Sequence, residues 1–286
     1  MLKLNHLCKN YGKIEALRDV NMTFGEGIYA LLGPNGSGKS TMMNLIVGLL
    51  SPTSGDVLFD ETPIKSLGKE YLGKIGYMPQ YPGMYPTFTV FDFLLYLSEL
   101  KDLPRGNEAE ISYLLERVEL LDCADRKIAT LSGGMKQRLA LVGAVLGYPD
   151  IIVLDEPTAG LDPKQRIAVR NFVAEIAAKR TVIWATHIVS DIEGTAKEVV
   201  MLKKGEIVDM APPADLAAKM QNKVFEVFCT PDEADTLKKK YRISGTVAEN
   251  GGFRLRFLAD EKPAENAAVA TPTLEDYYLF VFGDIL

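Results

Sequence analysis

The sequence predicts an α/β protein: a mostly parallel sheet, antiparallel strands at the N-terminus, a helical insertion, and a small C-terminal α/β accessory domain. Three observations carry this. Short apolar runs at 27–32, 151–154 and 181–185 read as strands buried on both faces. Helices follow the first two, from Lys39 and from Asp162. Between about 90 and 147 the apolar spacing turns helical. Strands alternating with helices imply crossover connections and hence a parallel sheet.

In chain order, residues 2–8 and about 16–24 read as strands, and 27–32 as a short buried strand ending in glycine. A helix is expected from 39 to about 50, then strands at 55–60 and 74–78. The insertion holds helices near 90–101, 107–121 and 133–147. Asp162-Pro163 starts the next helix, with Asp as cap and Pro in the first helical position. Behind it Val169, Phe172, Val173 and Ile176 fall on one face. A hairpin over 199–202 and 206–208 ends the sheet, and Pro212-Pro213 marks a break. Beyond it come a short helix (214–220), a strand (224–229) and a hairpin turning at Asn250-Gly251-Gly252. A final helix begins near Thr273, with Leu274, Tyr277, Tyr278, Val281 and Phe282 at helical spacing. The expected domains are 1–212, containing a helical subdomain at about 81–147, and 213–286.

A length of 286 residues exceeds the usual single domain and suits this division. The formal charge of −6 argues against a broad basic surface for nucleic acid. It leaves room for a polyanion such as ATP, since backbone N–H groups and one lysine can hold phosphates. Cys8, Cys123 and Cys229 are scattered and odd in number, which points to reduced, buried thiols in a cytosolic setting. With only His6 and His187, any metal should be a hard ion held by oxygen. The N-terminal MLKLNHLCKNYGK reads as a strand and not a signal peptide. The longest apolar stretch, 139–148, is about half a bilayer span, so no segment is expected to cross a membrane.

Two motifs carry phosphate chemistry. Gly33-Pro34-Asn35-Gly36-Ser37-Gly38-Lys39-Ser40-Thr41 matches the P-loop pattern between a buried strand and a helix. Its glycines let backbone N–H groups turn inward around a β-phosphate, Lys39 reaches the β/γ oxygens, and Ser40 ligates Mg²⁺. Ile151-Ile152-Val153-Leu154-Asp155-Glu156 puts two carboxylates at the end of a buried strand, beside the phosphate crevice. Asp155 suits Mg²⁺, and Glu156 suits a base that deprotonates the attacking water.

Leu131-Ser132-Gly133-Gly134-Met135-Lys136-Gln137-Arg138 resembles the LSGGQ signature of ABC ATPases, which other P-loop classes lack. On its own it would read as a Ser-capped helix start. The resemblance makes it a second phosphate cradle, in which Ser132, Gly133 and Gly134 meet the γ-phosphate of an ATP held by another subunit. Tyr11 then matches the aromatic that stacks on adenine. Gln80, in "GYMPQ", matches the Q-loop glutamine that contacts Mg²⁺ and the water. Asp162 matches the D-loop aspartate at the dimer interface, and His187 the switch histidine on the γ-phosphate. Met135 departs from the usual Gln, which removes any polar side-chain contact there. The stiff, aromatic loop after Gln80, with Tyr81, Met84 and Tyr85, is expected to help line a groove for a helix of a membrane partner.

The resemblance spans residues 1–212 and implies an ATP-hydrolysing subunit of an ABC transporter with a P-loop NTPase fold, binding ATP and Mg²⁺ and powering transport, expected to be export. It implies a dimer partner, separate membrane permease subunits, and a peripheral place on the cytoplasmic face of the cell membrane. The C-terminal region is similar to the extension of many bacterial export-type subunits. The runner-up is a soluble ABC ATPase of DNA repair or translation. The roughly 90 residues between Thr41 and Leu131 leave no room for the long coiled coil of the repair type, and the chain holds one cassette where the translation type usually joins two.

Overall fold

A computed structural model describes residues 1–263 and 266–283. The chain divides into two compact units, Met1–Asp191 with Thr195–Asp209, and Ile192–Gly194 with the chain from Met210 onward.

The first unit begins with a hairpin of β1 (Leu2–Tyr11) and β2 (Ile14–Phe24), then β3 (Gly27–Leu32) and α1 (Lys39–Ile46). Next come β4 (Ser54–Phe59), β5 (Thr62–Pro63), α2 (Ile64–Leu67), α3 (Lys69–Leu72) and β6 (Ile75–Met78). The insertion holds α4 (Val90–Leu100), α5 (Glu108–Arg117) and α6 (Gly133–Val145). Then follow β7 (Ile151–Asp155), α7 (Pro163–Ala177), β8 (Thr181–Ala185), α8 (Val189–Ile192), β9 (Glu198–Lys203) and β10 (Glu206–Ala211). β2-β1-β4-β5 form a sheet whose pairs are all antiparallel. The central sheet runs β10-β9-β3-β8-β7-β6, with β9, β3, β8, β7 and β6 parallel to one another.

Leu4, Phe24, Met42, Ile46, Val153, Ile183 and Val200 share one core under α1. The alternate residues Ile152, Leu154, Val182 and Trp184 are also buried, where α6 and α7 pack on the sheet. Both faces are thus covered, which is why these strands are apolar without a break.

The second unit contains α9 (Pro213–Ala218), β11 (Val224–Cys229), α10 (Pro231–Lys240), β12 (Arg242–Glu249), β13 (Gly252–Leu258), β14 (Ala268–Val269) and α11 (Leu274–Phe282). Its antiparallel sheet, ordered β12-β13-β11-β14, has a separate core around Phe225, Leu255 and Phe257. The expected hairpin is present: Glu249 pairs with Gly252 across Asn250 and Gly251, both at positive φ.

Several boundaries differ from expectation. α1 stops at Ile46, because Gly48 turns left-handed at φ 76°. α5 ends at Arg117, ahead of Glu119 at φ 56°. β1, β2 and β10 run longer than their apolar cores, since pairing continues through polar residues to the turns. α10 was missed, although Thr230 and Glu233 form a reciprocal capping box at its start. Of the three thiols only Cys229 is buried; Cys8 and Cys123 are half-exposed, against the expectation of buried cysteines.

α6 lies directly on β6. A Cβ added to Gly76 would fall 1.9 Å from the Ala144 carbonyl oxygen, so glycine alone permits this approach. Gly76→Ala should force helix and strand apart and cost about 2–4 kcal/mol of stability, read by denaturant unfolding. An unchanged midpoint would mean that the two elements are not packed this closely.

Candidate functional site

Register assembles the site. Leu31 of β3 and Asp155 of β7 both pair with Ala185 of β8, and Met78 of β6 pairs with Leu154. Four neighbouring parallel strands therefore end at nearly one level. The segments just beyond them are 33–41, Asp155-Glu156, Thr186-His187 and Pro79-Gln80, so the expected groups meet although they are far apart in sequence.

They surround a cavity of about 520 Å³ lined by Tyr11, Asn35 to Thr41, Gln80, Asp155 and Glu156, with Arg18 and Lys204. Gly33 lies beneath the loop, where a Cβ would sit 2.3 Å from the Leu202 carbonyl. Gly38 stands ahead of α1 at φ 114°, a conformation side chains rarely adopt. The Gly205 N–H donates to the Ser37 carbonyl at 2.9 Å and braces the loop from the β9–β10 turn. The Lys39 ammonium donates to the carbonyls of Gly33 at 2.6 Å and Pro34 at 3.1 Å. Burial lowers its pKa, opposed by attraction to Glu156 and Asp155. Burial also pushes Asp155 up to about 6, reinforced by the charge of Glu156 and opposed by Lys39.

Glu156 is buried and holds φ 52°, in the left-handed region. Its N–H donates to the Ala185 carbonyl at 2.9 Å. Its carboxylate accepts from Thr186 Oγ1 at 3.1 Å and from the His187 N–H at 3.1 Å, and His187 Nδ1 lies 2.7 Å from Oε1. His187 does not line the cavity but bounds it through this contact, with its own ring exposed. A non-glycine residue in this conformation costs about 1–3 kcal/mol and persists only where its surroundings hold it.

The remaining expected residues lie elsewhere. Ser132 caps α6 by accepting from the Met135 N–H at 3.3 Å, and Asp162 caps α7 by accepting from the Gln165 N–H at 2.9 Å. Ser132, Gly133 and Asp162 are exposed, and neither they nor Gly134 line the cavity. The two turns are neighbours, since a Cβ on Gly134 would meet Leu161 at 3.1 Å. Tyr81 is exposed, while Tyr85 packs edge-on against Tyr96 beside Phe88.

A family profile described as "ABC transporter" matches residues 17–159, and an uncharacterized ABC transporter ATP-binding protein of Bacillus subtilis (strain 168), YxlF, is 37% identical over 87% of this chain and 84% of its own length. The chain belongs to the ABC transporter ATP-binding family. The Nod factor export ATP-binding protein I of Paraburkholderia xenovorans (strain LB400) is 30% identical over 99% of this chain and 97% of its own. Among solved structures, the dimeric ABC transporter cassette MJ0796 is similar with a TM-score of 0.67 and 30% identity, covering 74% of this chain and 98% of that one. As an ABC cassette the chain is an ATP-binding, ATP-hydrolysing subunit that powers transport, with a P-loop NTPase fold. ABC ATP-binding subunits pair with one another and work with membrane permeases.

Sequence reasoning missed four residues placed here. Arg18 and Lys204 line the cavity from β2 and the β9–β10 turn, with no motif to mark them. Thr186 sits between the strand end and His187, and Gln137 donates to the Glu156 carbonyl at 2.8 Å. Both lie inside the motifs that had been picked out, but their roles depend on tertiary contacts.

A carboxyl whose folded pKa lies above its unfolded value favours the fold only while protonated. For Asp155 that stability is complete below about 4 and is lost as pH rises through about 6. Asp155→Asn removes the buried charge, so the ATP-free variant should be more stable than wild type at pH 8. The gain is about 1–2 kcal/mol after allowance for solvent screening, and the two proteins should converge near pH 4. Calorimetry across this range checks it; a variant no more stable than wild type at pH 8 would contradict the burial argument.

Proposed function

We propose that two copies of this chain close on two ATP molecules, each held between the P-loop of one copy and the signature of the other, and so drive export through separate membrane subunits. One observation carries the reading: Lys39, Asp155 and Glu156 share a cavity, whereas Ser132, Gly133 and Asp162 form an exposed patch that does not line it. A helix start with a capping serine and two glycines presents free N–H groups suited to phosphate. Only a second molecule can bring that patch to the nucleotide if both cradles are to be used. Export follows the Nod factor relative, whose similarity extends through the second unit. The repair or translation reading finds no support among the relatives described above.

In this arrangement Tyr11, half-exposed at the cavity edge, stacks on adenine. The amides of 33–41 and Lys39 hold the phosphates, and Asp162 reaches across the interface. Ser40, Gln80 and Asp155 bring oxygen ligands to the cavity lining, a donor set that fits Mg²⁺, and the burial that raises Asp155 would be relieved by a bound cation. Mg²⁺ would neutralise charge developing on the phosphate oxygens. Glu156 takes the proton of the attacking water, and His187 holds both that carboxylate and the γ-phosphate. No described helix is long and apolar enough to span a membrane. In this reading the chain works at the cytoplasmic face, bound to a permease that supplies the membrane-spanning segments.

Lys39→Ala and Ser132→Arg should each abolish ATPase activity. Mixed together they should recover part of it, because a mixed dimer contains one site with both an intact P-loop and an intact signature. Steady-state phosphate release reads the outcome, and a mixture as inactive as its components would overturn the two-chain site.

A further inference from the structure

Gln137 lies on α6, one turn past the signature cap, and is buried in a protein whose other amide and charged side chains mostly face solvent. A buried amide must satisfy its hydrogen-bonding groups. Its Nε2 donates to the backbone carbonyl of Glu156 at 2.8 Å, and that same carbonyl accepts the Ala159 N–H at 3.1 Å, closing the turn after β7. The next residue, Arg138, is also buried and donates to the Val118 carbonyl at 2.5 Å, fixing α6 to the end of α5. Gln137 is thus the polar tie between the signature helix and the strained residue that carries the base.

We propose that Gln137 is a positioning residue for Glu156 of its own chain. The left-handed backbone of Glu156 directs its carboxylate toward Thr186 and His187, and that conformation needs external support. The N–H of Glu156 is held by Ala185, and its carbonyl by Gln137 together with the Ala159 N–H. With the Gln137 donor gone, that carbonyl keeps only the Ala159 N–H of its own turn and loses its tie to α6, so the turn can relax toward ordinary φ and swing the carboxylate off the line of the attacking water. Gln137 does not line the nucleotide cavity, so its loss should slow turnover and leave ATP binding in place.

A second consequence follows from helix geometry. Ser132 and Gln137 stand on one short, stiff segment at about 1.5 Å rise per residue. The same helix end that meets a partner's γ-phosphate therefore holds the base of its own chain's site. Engagement of one nucleotide is felt at the carboxylate serving the other. This inference rests on the two-chain reading proposed above.

The test uses Gln137→Leu and, as a second variant of the same length, Gln137→Met; neither can donate. Each should lower kcat about 10–100-fold, with KM for ATP and ATP-driven dimerisation by sedimentation within about twofold of wild type, the size of effect expected for a misplaced rather than absent base. Mixed dimers then separate the base from the signature. Glu156→Gln mixed with wild type leaves one working base, on the wild-type chain. Adding Gln137→Leu to the Glu156→Gln chain should change that activity by less than twofold. Placing Gln137→Leu on the chain with the working base should lower it as in the homogeneous variant. Equal loss in both arrangements would show that Gln137 merely supports α6 and its signature, and would overturn the proposal. So would a rise in KM with kcat unchanged. If ATP drives no dimer even in wild type, the two-chain reading fails, and the split between kcat and KM in the homogeneous variants alone decides the role of Gln137.

Discussion

The common level at which β3, β8, β7 and β6 end constrains everything else at the nucleotide cavity. Parallel pairing sets Leu31 and Asp155 beside Ala185, and Met78 beside Leu154. A slip of one residue in any of these pairs would turn every side chain of that strand to the opposite face. It would move residues shaped for one core into the other and take the groups at the strand ends out of level. The cores on the two faces of the sheet, around Val153 and Ile183 on one side and Trp184 on the other, thus hold the cavity-lining acids in place while stabilising the fold. Stability and chemistry share one register.

Within that frame the site carries local strain and unfavourable charge burial. Asp155 and Glu156 are adjacent acids, partly or wholly buried, and Glu156 has a backbone that only close support maintains. Lys39 offsets part of the charge, and the amides and hydroxyl around Glu156 offset part of the strain. Such an arrangement is least comfortable without its ligand, and binding a polyanion with its cation relieves it. That is a physical reason for ATP to tighten this region.

The motifs made most of the cavity legible. Gly33 to Thr41, Asp155 and Glu156 could be placed because strand, loop and helix patterns surround them, and all meet at the same strand ends. His187 and Gln80 depended on resemblance, since a single histidine or glutamine after a strand has no pattern of its own. Gln137 and Thr186 could not be read, because their partners lie 19 and 30 residues away and only packing brings them together. Helix ends were missed where one left-handed residue, such as Glu119, stops a run whose apolar spacing continues. In the second unit the capping box of Thr230 and Glu233 was readable, but the surrounding composition is charged and the short helix it starts shows little apolar periodicity.

The central claim is that the cavity becomes a complete site only when another copy's signature covers it. Cross-linking tests this most directly, using a chain without its own cysteines, carrying Glu156→Gln to prevent turnover. Half of the chains bear Asn35→Cys and half bear Ser132→Cys. With ATP and Mg²⁺, oxidation should join the two kinds of chain in high yield, and without nucleotide it should join few. Equal yields with and without ATP, or linkage only between identical chains, would contradict the account.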